Sequence, residues 1–238
     1  MRIEVWSDFV CPFCYIGKRT LEQALEKFSH KDQVEIVYKS YELQPDLKSD
    51  LNVSVDEMLA KKMGMTINQA KEMNKQVIQR AAEAGLKYNF DQMKQTNTLD
   101  AHRLAKYAEG KGKGAELTER ILKAHFTEFQ FIGSHETLIN LAAEVGLDRE
   151  ESQKVLEGKD YLEEVRAEEA EAAQIRIQGV PFFVLNRKYA ISGAQPIGVF
   201  INALEKVWEE ENQFSPLQPI QSKEGLVCKD DNCEVPVD

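Results

Sequence analysis

Cys11-Pro12-Phe13-Cys14 follows Arg2-Ile3-Glu4-Val5-Trp6, where apolar and polar residues alternate, and precedes a run in which Leu21, Leu25 and Phe28 recur at helical spacing. The alternation predicts a short strand, and the later spacing predicts a helix reaching about Ser29. Pro12 suits the first turn of that helix, where a missing N–H costs nothing. A second strand is predicted from about Val34 to Leu43, a stretch rich in β-branched and aromatic residues. The opening of the chain therefore reads as strand–helix–strand with a cysteine pair at the first junction.

A CxxC at such a junction is the context of a thioredoxin-like redox site. Disulfide exchange needs a thiolate that a substrate can reach. Cys11 stands where the helix begins, and unpaired N–H groups with the positive end of the helix dipole stabilise a thiolate there. Cys14 lies one turn further on the same side, close enough to form or resolve a disulfide. Its place inside the helix should leave it less exposed. Cys11 is thus read as the exchanging sulfur and Cys14 as the resolving one. Two inert core cysteines would be the plainer reading, but it leaves the proline-stiffened helix start unexplained.

Beyond residue 50 the pattern changes. Ser54-Val55-Asp56-Glu57 and Thr66-Ile67-Asn68-Gln69 have capping-box spacing, so a helix should start at each. Ala101, Leu104, Ala105 and Ala108, then Leu138, Leu141, Ala142 and Val145, follow helical stripes, with Gly146 as a stop. The span from about Asn52 to Gln178 reads as helices with no strand. Strands return at Val180 to Leu185 and Tyr189 to Ser192, joined by a turn at Asn186-Arg187, and a last helix runs from about Pro196 to Glu211. The predicted fold is α/β, a thioredoxin-like mixed sheet of βαβ…ββα order with a large all-helical insertion. Residues 1–50 and 179–212 would form one discontinuous domain and residues 51–178 the insertion. Residues 213–238 read as an irregular tail.

Composition narrows the partners. The chain has 238 residues, 30 basic and 40 acidic, for a net charge of −10. Nucleic acid and anionic membrane are poor partners for such a surface, and no apolar run approaches the roughly 20 residues that span a bilayer. Met1 to Asp8 carries two acids and no apolar core of a leader, so a cytoplasmic location is expected. Four cysteines in two close pairs are too few for a secreted disulfide scaffold.

Gly179-Val180-Pro181-Phe182-Phe183 is the second informative stretch. Proline opening an apolar strand belongs at a strand start, where a trans bond would serve. A cis bond would instead set the backbone at Val180 beside the CxxC, ready to pair with an extended substrate peptide. Together with Trp6 to Cys14, Asp100-Ala101-His102-Arg103-Leu104 and Ser192-Gly193-Ala194-Gln195-Pro196, this stretch resembles the FrnE-like branch of the DsbA family over about residues 2–210. The resemblance implies a redox-active Cys11–Cys14 pair and a cis Pro181. Pro12, Phe13, Val180 and Pro181 are expected to border the substrate, and the resemblance implies disulfide oxidoreduction or isomerisation on protein thiols. No cofactor is implied beyond the cysteines, with glutathione a candidate co-substrate. DsbA itself has histidine between its cysteines; Phe13 here cannot donate a hydrogen bond to sulfur. A couple less oxidising than the namesake's, which lies near about −120 mV, is expected.

Cys228-Lys229-Asp230-Asp231-Asn232-Cys233 is a second pair, in the tail. It reads either as an accessory redox pair, as in some FrnE-like proteins, or as an exposed dithiol without a task. Acidic neighbours disfavour its thiolates. A zinc site combining all four cysteines would need the tail to reach residue 11, so no metal is expected. His102 reads as a helix-start hydrogen-bonding residue, and His30, His125 and His135 as surface or core positions. Gly110-Lys111-Gly112-Lys113-Gly114 lacks phosphate-loop spacing and reads as a turn between helices. Met58, Met63, Met65 and Met73 crowd the first inserted helices, as core or as an adaptable peptide-binding surface. Two other functions compete. One is a glutathione-dependent transferase or isomerase of the kappa-class or chromene-carboxylate isomerase type, whose members typically have serine where Cys11 stands. The other is a non-catalytic chaperone.

Overall fold

The computed structural model describes residues 1–212 and the backbone of residues 227–229 and 232–234. Strand β1 (Arg2–Ser7) leads into helix α1 (Pro12–Lys27), and β2 (Glu35–Ser40) follows. After the helical block come β5 (Phe182–Leu185), β6 (Tyr189–Ser192) and α9 (Ile197–Asn212). These strands form one mixed sheet of order β2-β1-β5-β6. The β1–β2 pairing is parallel, with Ile3 opposite Ile36, and the β1–β5 and β5–β6 pairings are antiparallel. Asn186 and Arg187 both adopt positive φ, 49° and 57°, the backbone that a two-residue hairpin turn requires.

Every residue of β1 after Arg2 is buried, because β1 is central and both of its faces are covered. Ile3 and Val5 join Leu21, Phe183, Phe200 and Leu204 in a core beneath α1 and α9. Trp6 points to the other face, against Ala172 and Ile177 of the last block helix and the loop after it, and its indole N–H donates to Glu168 O at 3.1 Å. The sheet is therefore sandwiched, which accounts for a first strand that reads as alternating yet is buried throughout.

The helical block comprises α2 (Val55–Met63), α3 (Ile67–Glu83), α4 (Leu99–Gly110), α5 (Gly114–Phe126), α6 (His135–Glu144), α7 (Arg149–Glu157) and α8 (Leu162–Gln174). Both expected capping boxes form: Ser54 with Glu57, and Thr66 with Gln69. Lys111 and Gly112 make the turn between α4 and α5, with Gly112 at φ 72°. One expectation fails. The span read as strand-free contains β3 (Asp50–Ser54) paired antiparallel with the two-residue β4 (Lys94–Gln95). The pairing joins residues far apart in sequence, and β3 shows solvent Leu51 and Asn52, so neither strand has a buried face to leave a period-two signature. The block's core, including Leu104, Leu117, Ile121 and Phe126, runs continuously into Tyr15 and Ile16 of α1.

Gly17 shows how tightly α1 fits the returning strands, and His125 shows how deeply a titratable group is buried in the block. Gly17 lies on the buried side of α1, where an added Cβ would stand 3.0 Å from both the Phe183 ring and the Pro181 ring. The Gly17→Val variant should overpack this contact and lose about 1–3 kcal/mol, read as a lower urea midpoint. His125 in α5 is buried; desolvation lowers its imidazole pKa to about 4, against a weaker opposing pull from Asp8. An unfolded histidine binds its proton from about pH 6.5 downward, so stability is complete above that pH and falls as the pH drops toward 4. The expected loss is about 3 kcal/mol across that window. Urea titrations of wild type and His125→Gln at pH 7 and pH 4.5 should show a smaller acid loss in the variant.

Candidate functional site

The redox turn is held by backbone before any side chain acts. Cys11 N–H donates to Asp8 O at 3.1 Å, and Cys14 N–H donates to Cys11 O at 3.0 Å. Cys11 is thereby the N-cap of α1, and Pro12 opens the helix. No side chain caps this end and no acid lies in its first turn. No carboxylate therefore competes with the Cys11 sulfur for the positive end of the helix. Tyr88 tethers the turn from the block, its hydroxyl donating to Pro12 O at 2.9 Å. Lys18 and Arg19, one turn beyond the cysteines, both pair with Glu119 of α5 and fix α1 to the block.

Cys11 and Cys14 are unbonded thiols. The exposure contrast expected between them is small, 4% against 2%. Their surroundings differ more. Cys11 Sγ lies 3.4 Å from Val180 O, whereas Cys14 Sγ accepts the Asp8 N–H at 3.4 Å. Burial, then the neighbouring Cys11 sulfur, push the Cys14 thiol well above the ordinary range; Ser7 and the Asp8 N–H oppose them only in part. Cys14 is accordingly protonated at neutral pH.

The Val180–Pro181 peptide is cis. Gly193 N–H donates to Pro181 O at 2.8 Å, so the Gly179–Phe183 and Ser192–Pro196 stretches meet in space. Gly193 has φ 78°, a conformation that glycine adopts without strain. Cys11 thus meets Val180 and Pro181 lies against α1 at Gly17, whereas Pro12 and Phe13 line a cavity on the side of the inserted helices. Cys228 and Cys233 are register partners in a small hairpin of β7 (Val227–Lys229) and β8 (Asn232–Glu234). Their side chains lie outside the described residues, as does the test of a four-cysteine zinc site. Among the described residues no cluster of metal-ligating side chains occurs, and no helix is long and apolar enough to cross a membrane.

Asp8 escaped the sequence reading, and His102, read there as a hydrogen-bonding residue, has its Nε2 without a hydrogen-bond partner. Asp8 is 1% exposed; one carboxylate oxygen accepts Leu43 N–H at 2.8 Å. The other lies 3.5 Å from Nε2 of buried His102, and neither of these two atoms makes a hydrogen bond. His102 also packs against Phe9, with ring centroids 4.8 Å apart. A buried acid three residues before a CxxC was the available signal. His135, by contrast, pairs with Asp100 at 2.8 Å on the surface, and His30 stacks on Trp208 at 3.9 Å.

Comparison with known proteins agrees with this arrangement. The family model of the DSBA-like thioredoxin domain matches residues 2–205. The probable DsbA oxidoreductase SCO1869 of Streptomyces coelicolor is 39% identical, with 99% of each chain covered and a TM-score of 0.84. Two structures share the fold at lower identity. The 2-hydroxychromene-2-carboxylate isomerase is 16% identical, covering 91% of this chain and all of its own, with a TM-score of 0.66. The cytosolic disulfide reductase DsbM of Pseudomonas aeruginosa, solved with GSH, is 17% identical, covering 88% of this chain and all of its own, with a TM-score of 0.63. The sheet order, the CxxC at the helix start and the match over residues 2–205 place the chain in the family of DSBA-like thioredoxin domains.

Proposed function

We propose that the protein is a thiol–disulfide oxidoreductase or isomerase acting on protein thiols, with Cys11 the exchanging sulfur and Cys14 the resolving one. The observation that carries this reading is the pair of thiols one helical turn apart in unlike surroundings, one at a helix start beside Val180 O and the other with its pKa raised by burial and by the first sulfur. Residues 180 and 181 precede β5, which leaves Val180 free to pair with an extended substrate. The Cys11 thiolate attacks one sulfur of a substrate disulfide, forming a mixed disulfide and expelling the other sulfur as a thiolate. The Cys14 thiol then loses its proton and attacks Cys11 Sγ, expelling the second substrate thiolate. Two electrons pass from the dithiol to the substrate, and the protein ends with a Cys11–Cys14 disulfide. The reverse sequence oxidises a substrate dithiol.

Phe13 between the cysteines favours a reductase or isomerase over a strong oxidant, in keeping with a cytoplasmic role. Glutathione is the proposed recycling thiol, and the similarly folded DsbM binds GSH in its structure. The paired Cys228 and Cys233 support the FrnE-like branch and an accessory redox role. The chromene-carboxylate isomerase reading rests on fold alone and gives Cys14 no task, so it is not favoured.

A glutathione redox titration read by alkylation and peptide mass tests the reading. A potential near about −270 mV would mark a reductase and one at about −180 mV or above an isomerase or oxidant. Absence of any reversible Cys11–Cys14 disulfide would sink it in favour of a glutathione transferase. The Cys14→Ser variant should accumulate the mixed disulfide at Cys11, visible by mass. In wild type the resolving step should quicken about tenfold per pH unit and show no plateau below the ordinary thiol pKa of about 8.5, because burial, the largest cause raising the Cys14 thiol, persists when Cys11 is in a mixed disulfide. Stopped-flow traces from pH 6 to 9 would show it.

A further inference from the structure

A cavity of about 380 Å³ opens between the redox turn and the first inserted helices, and Pro12 and Phe13 form part of its wall. That volume is within the range of ligand pockets. Met58, Met73 and Met93 contribute to a mostly apolar lining, and methionine fits itself to varied side chains. Three cations, Lys62, Arg80 and Lys94, also line it, and no acid does, in a chain whose acids outnumber its bases by 40 to 30. None of the three forms an ion pair among the described residues, although Lys94 faces exposed Glu57. The nearby buried acid Asp56 is engaged by Asn74 at 2.6 Å. Arg80 reaches back to the redox turn, with its guanidinium carbon 6.0 Å from the centre of the Phe13 ring.

The surface around the cavity is also unusual. Among the described residues, seven large apolar side chains are exposed; Leu43 and Met73 line the cavity, and Leu51, Met63 and Ile67 lie in the same 43–73 segment of chain. A closed small-molecule site would not need such an apolar surround, whereas a docked polypeptide would cover it.

We infer that this cavity and its rim receive the part of a client polypeptide next to the reacting cysteine, and that they select a bulky apolar residue with an acidic neighbour. The inference rests on the thiol–disulfide reading above. The client's sulfur meets Cys11, its apolar side chain enters between Phe13 and the methionines, and its carboxylate meets Lys62 and Arg80. Exchange runs as already written, with Cys11–Cys14 oxidised and the client disulfide reduced to two thiols.

The test uses the full chain and disulfide-linked peptide dimers that differ only in two residues beside the cysteine: Leu-Asp, Leu-Lys or Gly-Asp, in both orders. The Leu-Asp dimer should oxidise the reduced protein about fivefold faster than Leu-Lys. It should be about tenfold faster than Gly-Asp. The double variant Lys62→Glu, Arg80→Glu should reverse the Asp-over-Lys preference, which intrinsic peptide reactivity cannot do. A second arm omits redox chemistry: Cys11→Ser protein and serine-substituted labelled peptides, followed by fluorescence anisotropy, should rank in the same order. Equal rates for all dimers, or an unchanged preference in the double variant, would overturn the inference while leaving the redox reading intact. So would a charge dependence confined to a small aryl disulfide such as 5,5′-dithiobis(2-nitrobenzoate), which would make the cavity a small-molecule site. Failure of every disulfide to react, with the binding order preserved, would instead remove the redox reading.

Discussion

The start of α1 is fixed from three directions, and the site exists because those three agree. From the sheet, β1 delivers Asp8, whose carbonyl accepts Cys11 N–H and whose N–H reaches Cys14 Sγ. From the returning strands, Val180 O stands beside Cys11 Sγ. From the block, Tyr88 holds Pro12 O. Each is a short polar contact in a buried setting, where an unmade hydrogen bond costs about 1–3 kcal/mol. A shift of the helix by even one residue would forfeit all of them together.

Such precision requires rigid supports. Central β1 is clamped between β2 and β5, with Ile3 and Val5 packed on one face and Trp6 on the other. Phe183 serves twice, pairing with Val5 in the ladder and meeting α1 at Gly17. The same contact brings Pro181 against the helix one turn beyond Cys14. The core that stabilises the fold is thus also the device that sets the sulfur–carbonyl distance. The ion pairs from Lys18 and Arg19 to Glu119 extend the support into the helical block, so the block is a wall of the site and more than a cover for the sheet.

Features written in local pattern were legible in the sequence. The CxxC with its proline, the capping boxes at Ser54 and Thr66, the turn at Asn186-Arg187 and the two helical stripes each depend on residues a few positions apart. Features made by distant residues were not. The β3–β4 pairing needs Asp50 opposite Gln95 and leaves its side chains largely to solvent, so neither partner shows a period. Asp8 looked like one more acid until the fold placed His102 3.5 Å from it. The cavity beside Phe13 is likewise assembled from α2, α3, β4 and the redox turn, and only the methionine crowding hinted at it. The two family-like stretches Gly179–Phe183 and Ser192–Pro196 are an instructive middle case: distant enough to look unrelated, they are joined by the single bond from Gly193 N–H to Pro181 O.

The two sulfurs gain their different characters from neighbours more than from exposure. Both residues are nearly covered, so accessibility alone would make them equivalent. Position on the helix separates them. An anion at the N-cap lies at the positive end of the helix, whereas one at the third helical position is buried beside the other sulfur, with only Ser7 and the Asp8 N–H to offset this. Burial, the largest cause raising the Cys14 thiol, still opposes loss of its proton after Cys11 has entered a mixed disulfide. That cost lets a mixed disulfide persist long enough for a client to be held and tested. Phe13, between the two sulfurs in sequence, faces the cavity rather than sulfur. The residue that most distinguishes this CxxC from one with histidine is thus turned toward whatever lies beside the client cysteine, which ties the redox character of the pair to the surface that would select its substrate.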